Sequence, residues 1–120
     1  ANWMYTATRT VAATTADNLD LAGSLTDGLG NTITATKLKL AVVAISSPDG
    51  TKSLRVGPRG VTNATLAGFG DASDYQTVRN WWVQYDPVTG YDVTAGTADL
   101  FCLYNPGAGN VTYTVLLAGV

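Results

Sequence analysis

The residues that could carry acid–base or nucleophilic chemistry are few. The chain has nine aspartates, no glutamate, no histidine and one cysteine. Without histidine it has no Ser-His-Asp or Cys-His arrangement and no common zinc site. The sequence nominates no aspartate pair for catalysis. Asp71 and Asp74 could belong to a cation loop, but a third carboxylate and the EF-hand spacing are missing, so a solvated turn is favoured. We therefore expect no catalytic residue, no bound metal and no cofactor.

The single cysteine, Cys102, lies in the apolar run Leu100–Tyr104. One cysteine cannot close a disulfide within the chain. A thiol becomes reactive when a neighbouring positive charge lowers its pKa, and no lysine is adjacent to this one. We therefore expect Cys102 to be buried in the core and chemically silent.

Two adjacent tryptophans, Trp81 and Trp82, are the most conspicuous binding candidates. Successive side chains of a strand point to opposite faces, so only one of the two can be core. Trp81 alternates with the apolar Val83, whereas Trp82 alternates with the polar Gln84. This pattern assigns Trp81 to the core and Trp82 to an exposed contact surface. A protein interface is favoured over a sugar platform, because tryptophan is enriched at interfaces and no Asp/Asn trio marks a sugar clamp.

The N-terminal segment, residues 1–13, carries Trp3, Tyr5 and Arg9 and contains few turn signals. Its aromatic and threonine residues predict an extended conformation, with a hinge at residues 14–16. Two interpretations stay open: an edge strand of its own domain, or an arm that pairs with a neighbouring sheet or subunit. Trp3, Tyr5 and Arg9 therefore join Trp82 as candidate interface residues.

The elements that position these residues are predicted to be strands. Threonine and glycine are abundant, helix formers are scarce, and turn-forming runs of Pro, Gly and Asp recur at short intervals. About eight runs between the turns have strand character. Residues 36–45 become apolar on both faces, as in a central strand under a second layer. In residues 111–118, apolar residues at odd positions oppose Thr112 and Thr114.

These observations predict one all-β domain, a jelly-roll or Greek-key sandwich of about eight strands spanning residues 14–120. The net charge of −2 and the pI of about 4.6 argue against a nucleic-acid or anionic-membrane partner. With 46% hydrophobic residues in 12.5 kDa, we expect a homo-oligomer, because a small sandwich cannot cover them all. The first residues lack the features of a signal peptide, so we expect the protein to stay where it is synthesised.

Several stretches resemble small virion proteins of tailed phages, the capsid cement or decoration proteins. The resemblance covers nearly the whole chain, and its most specific part is the turn Thr94–Asp99. The stretches that carry it are residues 9–13, 17–27, 37–39, 54–58, 93–100 and 111–115. Such proteins are jelly-roll subunits on the outside of the phage head.

The resemblance implies a non-enzymatic virion protein that binds the outer capsid surface and stabilises contacts between major capsid proteins. It would be assembled in the bacterial cytoplasm as a dimer or trimer. The alternative is a carbohydrate-binding sandwich, such as a receptor-binding head-fibre domain, with Trp82 and either Tyr85 or Tyr91 as its platform. An aspartate-dependent hydrolase is the third and least favoured hypothesis.

Overall fold

The computed structural model describes residues 3–46 and 48–120 of the chain. Within these residues the chain forms eleven strands and no helix. The strands are β1 (Trp3–Val11), β2 (Thr15–Asp20), β3 (Ala22–Thr26), β4 (Thr32–Thr34), β5 (Lys37–Ile45), β6 (Leu54–Val56), β7 (Gln76–Val78), β8 (Trp81–Tyr85), β9 (Tyr91–Asp92), β10 (Leu100–Asn105) and β11 (Val111–Gly119). The first two residues of the predicted N-terminal segment, Ala1 and Asn2, lie outside the described residues, as does Ser47.

The strands pack as a sandwich of two main sheets. The first sheet has the order β1-β11-β5-β8, and the short β9 continues the line of β8 beside β5; the second has the order β2-β10-β6-β7. Strands β3 and β4 form a separate ribbon. Without β3, β4 and β9, the pairs β1/β11, β2/β10, β5/β8 and β6/β7 are those of one long hairpin rolled across both sheets. The predicted all-β jelly roll is therefore confirmed, with three short strands added in its connections.

The core lies between the two main sheets. From β11 come Val111, Tyr113, Val115 and Leu117, each at most 2% exposed, as the alternation of this strand predicted. The facing side chains of the second sheet are Leu19, Leu54, Val56, Phe101 and Leu103. Each fully buried aliphatic side chain stabilises the fold by about 1.5 to 3 kcal/mol.

Strand β5 has two apolar faces, and the sandwich covers only one of them. The odd-numbered residues 41, 43 and 45 point inward and are buried, whereas the even-numbered residues 40, 42 and 44 point outward and are half-buried. The pairing with β11 shifts between Ala118 and Gly119, so that Leu38 points inward despite its even number. No second layer among the described residues covers the outer face. No helix in this part of the chain has the length and apolar character needed to cross a membrane.

Candidate functional site

The outer face of the first main sheet carries no charge across its central rows. Residues paired across neighbouring strands share one face of a sheet, and the pairing of β1, β11, β5 and β8 gives three rows of four side chains. The rows are Thr8, Thr114, Ala44, Trp81; then Thr6, Leu116, Val42, Val83; then Met4, Ala118, Leu40, Tyr85. Nine of these twelve side chains are apolar or aromatic, and the other three are threonines. We call this surface the charge-free face.

The largest side chains of the charge-free face are open to solvent at its two edges. Trp81 is 70% exposed, Tyr85 64% and Val83 43% on β8, and Met4 is 55% exposed on β1. With strands about 4.8 Å apart and rows about 7 Å apart, the twelve side chains span about 400 Å². An exposed apolar patch of a few hundred Å² or more marks an interaction site in a soluble protein. The face is therefore the strongest candidate for a binding surface on this chain.

A groove extends the charge-free face at its Met4 corner. It has a volume of about 600 Å³ and lies between β1 and the loop that joins β3 to β4. Leu29, at the tip of that loop, is 88% exposed. Asp27 orders the loop, since its Oδ1 accepts hydrogen bonds from the backbone N–H groups of Asn31 (3.0 Å) and Leu29 (2.9 Å). These bonds lower the pKa of Asp27 below its ordinary value. The groove thus adds an ordered apolar corner to the surface.

The two adjacent tryptophans occupy the faces opposite to those predicted. Trp82 points inward and is 7% exposed, whereas Trp81 points outward. The Trp82 ring stacks on Phe69, with centroids 6.0 Å apart, and packs against Phe101 at 6.1 Å. The assignment of Trp82 to a contact surface is therefore wrong. The polar Gln84 misled it, because this side chain also points inward and donates from Nε2 to the Tyr91 hydroxyl at 2.9 Å.

The N-terminal segment is an edge strand of its own domain and not an arm. From Trp3 to Val11 it pairs residue for residue with β11 of the same chain. The Trp3 ring is 8% exposed, and its indole Nε1 donates to the carbonyl of Val120 at 3.2 Å. Tyr5 points to the same inner face and packs against the core. The prediction that these two rings contact another subunit is therefore wrong; Met4, between them, presents its side chain to the outside.

Arg9 joins the two main sheets through a polar cluster. Its Nε and Nη2 donate to the Asp17 carboxylate of β2 at 2.7 and 3.0 Å, and its Nη1 donates to the Tyr5 hydroxyl at 2.9 Å. The Tyr113 hydroxyl donates to the same carboxylate at 2.6 Å. The hydrogen bond to Asp17 raises the pKa of Arg9, and burial raises the pKa of Tyr113. Arg9 thus holds the two sheets together, and its role at an interface stays a prediction.

The remaining candidates for chemistry are structural. Asp71 closes a turn, because its Oδ1 accepts from the backbone N–H and the hydroxyl of Ser73 at 2.9 and 2.7 Å, and these bonds lower its pKa. Cys102 is 2% exposed, and burial raises its pKa to about 11. Both expectations, a turn at Asp71 and a buried thiol, are confirmed. Among residues 3–46 and 48–120, no three metal-ligating side chains lie together.

Sequence reasoning missed Trp81, Val83 and Met4 as exposed residues and named only Tyr85, as part of a possible sugar platform. Their alternation was visible, since the three on β8 share one parity, but it was interpreted as the core face of the strand. The choice of face was wrong for the two tryptophans, so Trp81 replaces Trp82 as the exposed residue, whereas Tyr85 is exposed as the sugar-platform hypothesis required. Comparison of the chain with protein-family models, with curated proteins and with solved structures finds no match.

Proposed function

We propose that this protein is a non-enzymatic structural subunit of a phage virion, a capsid cement or decoration protein that binds the outer surface of the head. The observation that carries the proposal is the charge-free face with its exposed Trp81, Tyr85 and Met4. A surface of this composition suits contact with another protein, since aromatic residues and methionine are enriched and charged residues depleted at the centre of interfaces. The jelly-roll topology adds only an analogy, because capsid proteins share it with lectins and other proteins.

The partner in this proposal is the major capsid protein, contacted where neighbouring copies meet. A subunit that binds only the assembled shell stabilises it by RT ln(1 + [L]/Kd), about 2.7 kcal/mol per site at a hundredfold excess over Kd. Occupation of many sites multiplies this effect over the shell. Self-association into a dimer or trimer is part of the same proposal, because exposed apolar residues such as Leu29 and Leu66 lie outside the three rows of the charge-free face.

The test is the binding of the protein to expanded phage heads that lack it. Wild-type protein should cosediment with the heads and raise the melting temperature of the shell. Val83→Lys places a charge in the middle row of the charge-free face and should abolish both effects. Val88→Lys is the matched control, because Val88 is 85% exposed in the loop after β8, outside the three rows. Equal binding by the two variants would exclude the charge-free face as the contact.

A carbohydrate-binding function is the second candidate, and the exposure of Trp81 supports this residue, instead of the buried Trp82, as its platform. Trp81 and Tyr85 are exposed on one face of β8, about 13 Å apart along the strand. Two such rings can stack on separate sugar units of a glycan. Glycan-array binding that is lost in Trp81→Ala, without any binding to phage heads, would favour this function over the cement proposal.

A further inference from the structure

The outer face of the second main sheet carries a stack of alternating tyrosine and arginine side chains. The Arg55 guanidinium carbon lies 5.0 Å from the centroid of the Tyr75 ring and 5.9 Å from that of Tyr104. The Arg59 guanidinium carbon lies 5.0 Å from the Tyr104 centroid. The four side chains therefore contact one another in the order Tyr75, Arg55, Tyr104, Arg59. Arg55 and Tyr104 are directly paired across β6 and β10, which fixes them on one face. We call these four residues the arginine–tyrosine stack.

The backbone holds both ends of the stack in place. Two loops pair where Arg59 N–H donates to the Asp74 carbonyl at 3.1 Å and Gly60 N–H donates to the Ala72 carbonyl at 2.7 Å. Gly57 permits this approach, because its φ is +141° and a Cβ would lie 2.7 Å from the Asp74 carbonyl oxygen. Arg59 itself has a φ of +50°, a conformation that a residue with a side chain adopts at a cost in free energy. The guanidinium groups are therefore preorganised by the fold.

The two arginines of the stack have no acidic partner in the part of the chain that the structure describes. The ion pairs found there join Arg9 to Asp17, Lys37 to Asp92 and Lys52 to Asp49. Arg59 Nε is buried without a hydrogen-bond partner, and its Nη2 makes only a long bond of 3.4 Å to the Leu103 carbonyl. Contact of a guanidinium group with an aromatic ring does not use its N–H donors, so those of Arg55 and the Nη groups of Arg59 remain for a ligand. These donors lack the anionic acceptor that their geometry suits.

We propose that the arginine–tyrosine stack binds carboxylate groups of an acidic segment of a partner protein. The planar fork of arginine matches a carboxylate through two parallel hydrogen bonds, and the tyrosine rings hold the fork in one orientation. A carboxylate fits better than nucleic acid, because two arginines on a chain of net charge −2 give no extended basic track for a polyanion backbone. The proposal does not depend on the phage-head function, since it concerns the opposite face of the sandwich.

The probe is a fluorescein-labelled hexa-aspartate peptide, titrated against the full chain with fluorescence anisotropy as the readout. Arg55→Gln and Arg59→Gln should each weaken binding about tenfold or more, which corresponds to the loss of one charge-assisted hydrogen-bond pair. Arg55→Lys keeps the charge but loses the fork, and it should also weaken binding. Arg79→Gln is the matched control, because Arg79 is an exposed arginine outside the stack, and it should change the affinity less than about twofold.

A second readout needs no substitution and so does not depend on the folding of the variants. In the wild-type protein, the NMR signals of the Arg55 and Arg59 side-chain Nε–H groups should shift on peptide addition, while that of Arg79 stays in place. No binding at millimolar peptide, or an equal loss in Arg79→Gln, would overturn the proposal. Equally tight binding of an oligothymidylate with the same dependence on Arg55 would overturn it in favour of a general polyanion surface.

Discussion

Replacing Trp82 by alanine should destabilise the protein by about 4 kcal/mol, whereas the same change at the adjacent Trp81 should cost about 1 kcal/mol or less. Trp82 is 7% exposed, and its ring packs between Phe69 and Phe101. A buried tryptophan removes about 200 Å² of apolar surface from water, which at about 25 cal/mol per Å² gives about 5 kcal/mol. A compact unfolded state reduces this figure to about 3 to 5 kcal/mol. Trp81 is 70% exposed, so its removal leaves no cavity.

The assay is urea unfolding followed by far-UV circular dichroism, which does not depend on the tryptophan signal that each variant loses. Trp82→Ala should lower the free energy of unfolding without a change in the m-value, and its melting temperature should fall by about 10 to 20 °C for a domain of this size. Trp81→Ala has the same chemistry and a neighbouring position, so it controls for the loss of a tryptophan as such. If Trp81→Ala costs as much as Trp82→Ala, the assignment of the two faces of β8 is wrong.

Three further predictions concern residues away from the charge-free face. Cys102 should react slowly with a thiol reagent in the native protein, and rapid native labelling at pH 8 would contradict its burial. Burial raises the pKa of this thiol to about 11, so the stability that it contributes is present below pH 9 and is lost as the pH rises towards 11. Asp17→Asn should lower the free energy of unfolding by about 2 kcal/mol, because the amide has one acceptor oxygen in place of two and no negative charge, so Arg9 loses its ion pair and one hydrogen bond. An unchanged urea midpoint would contradict this role of the cluster. Gly119→Ala should lower the melting temperature strongly, since its Cβ would overlap a backbone carbonyl of β5. Gly28→Ala is the control, because open space surrounds this glycine and the change should have little effect. Equal effects of the two substitutions would show that β5 and β11 do not approach this closely.

Local patterns predicted the fold class because the longer strands carry their own signal, either alternation of apolar and polar residues or a short apolar run between turns. Strand β11 is the clearest case, since its buried residues Val111, Tyr113, Val115 and Leu117 are those that the alternation selected. The buried Cys102 followed in the same way from the apolar run around it. The shift that turns Leu38 inward was not predictable, because it arises from the pairing of β5 with a strand more than seventy residues later in the chain.

By itself the sequence determined that this chain folds as an all-β domain and that few of its residues can carry acid–base or metal chemistry, because composition and alternation are properties of each segment alone. It also determined that Trp81 and Trp82 lie on opposite faces of a strand. Which of the two is buried was decided only by the tertiary structure, because parity separates two faces without saying which one the other sheet covers. The same holds for the charge-free face and the arginine–tyrosine stack, whose residues come from strands and loops far apart in the sequence that only the rolled topology brings together.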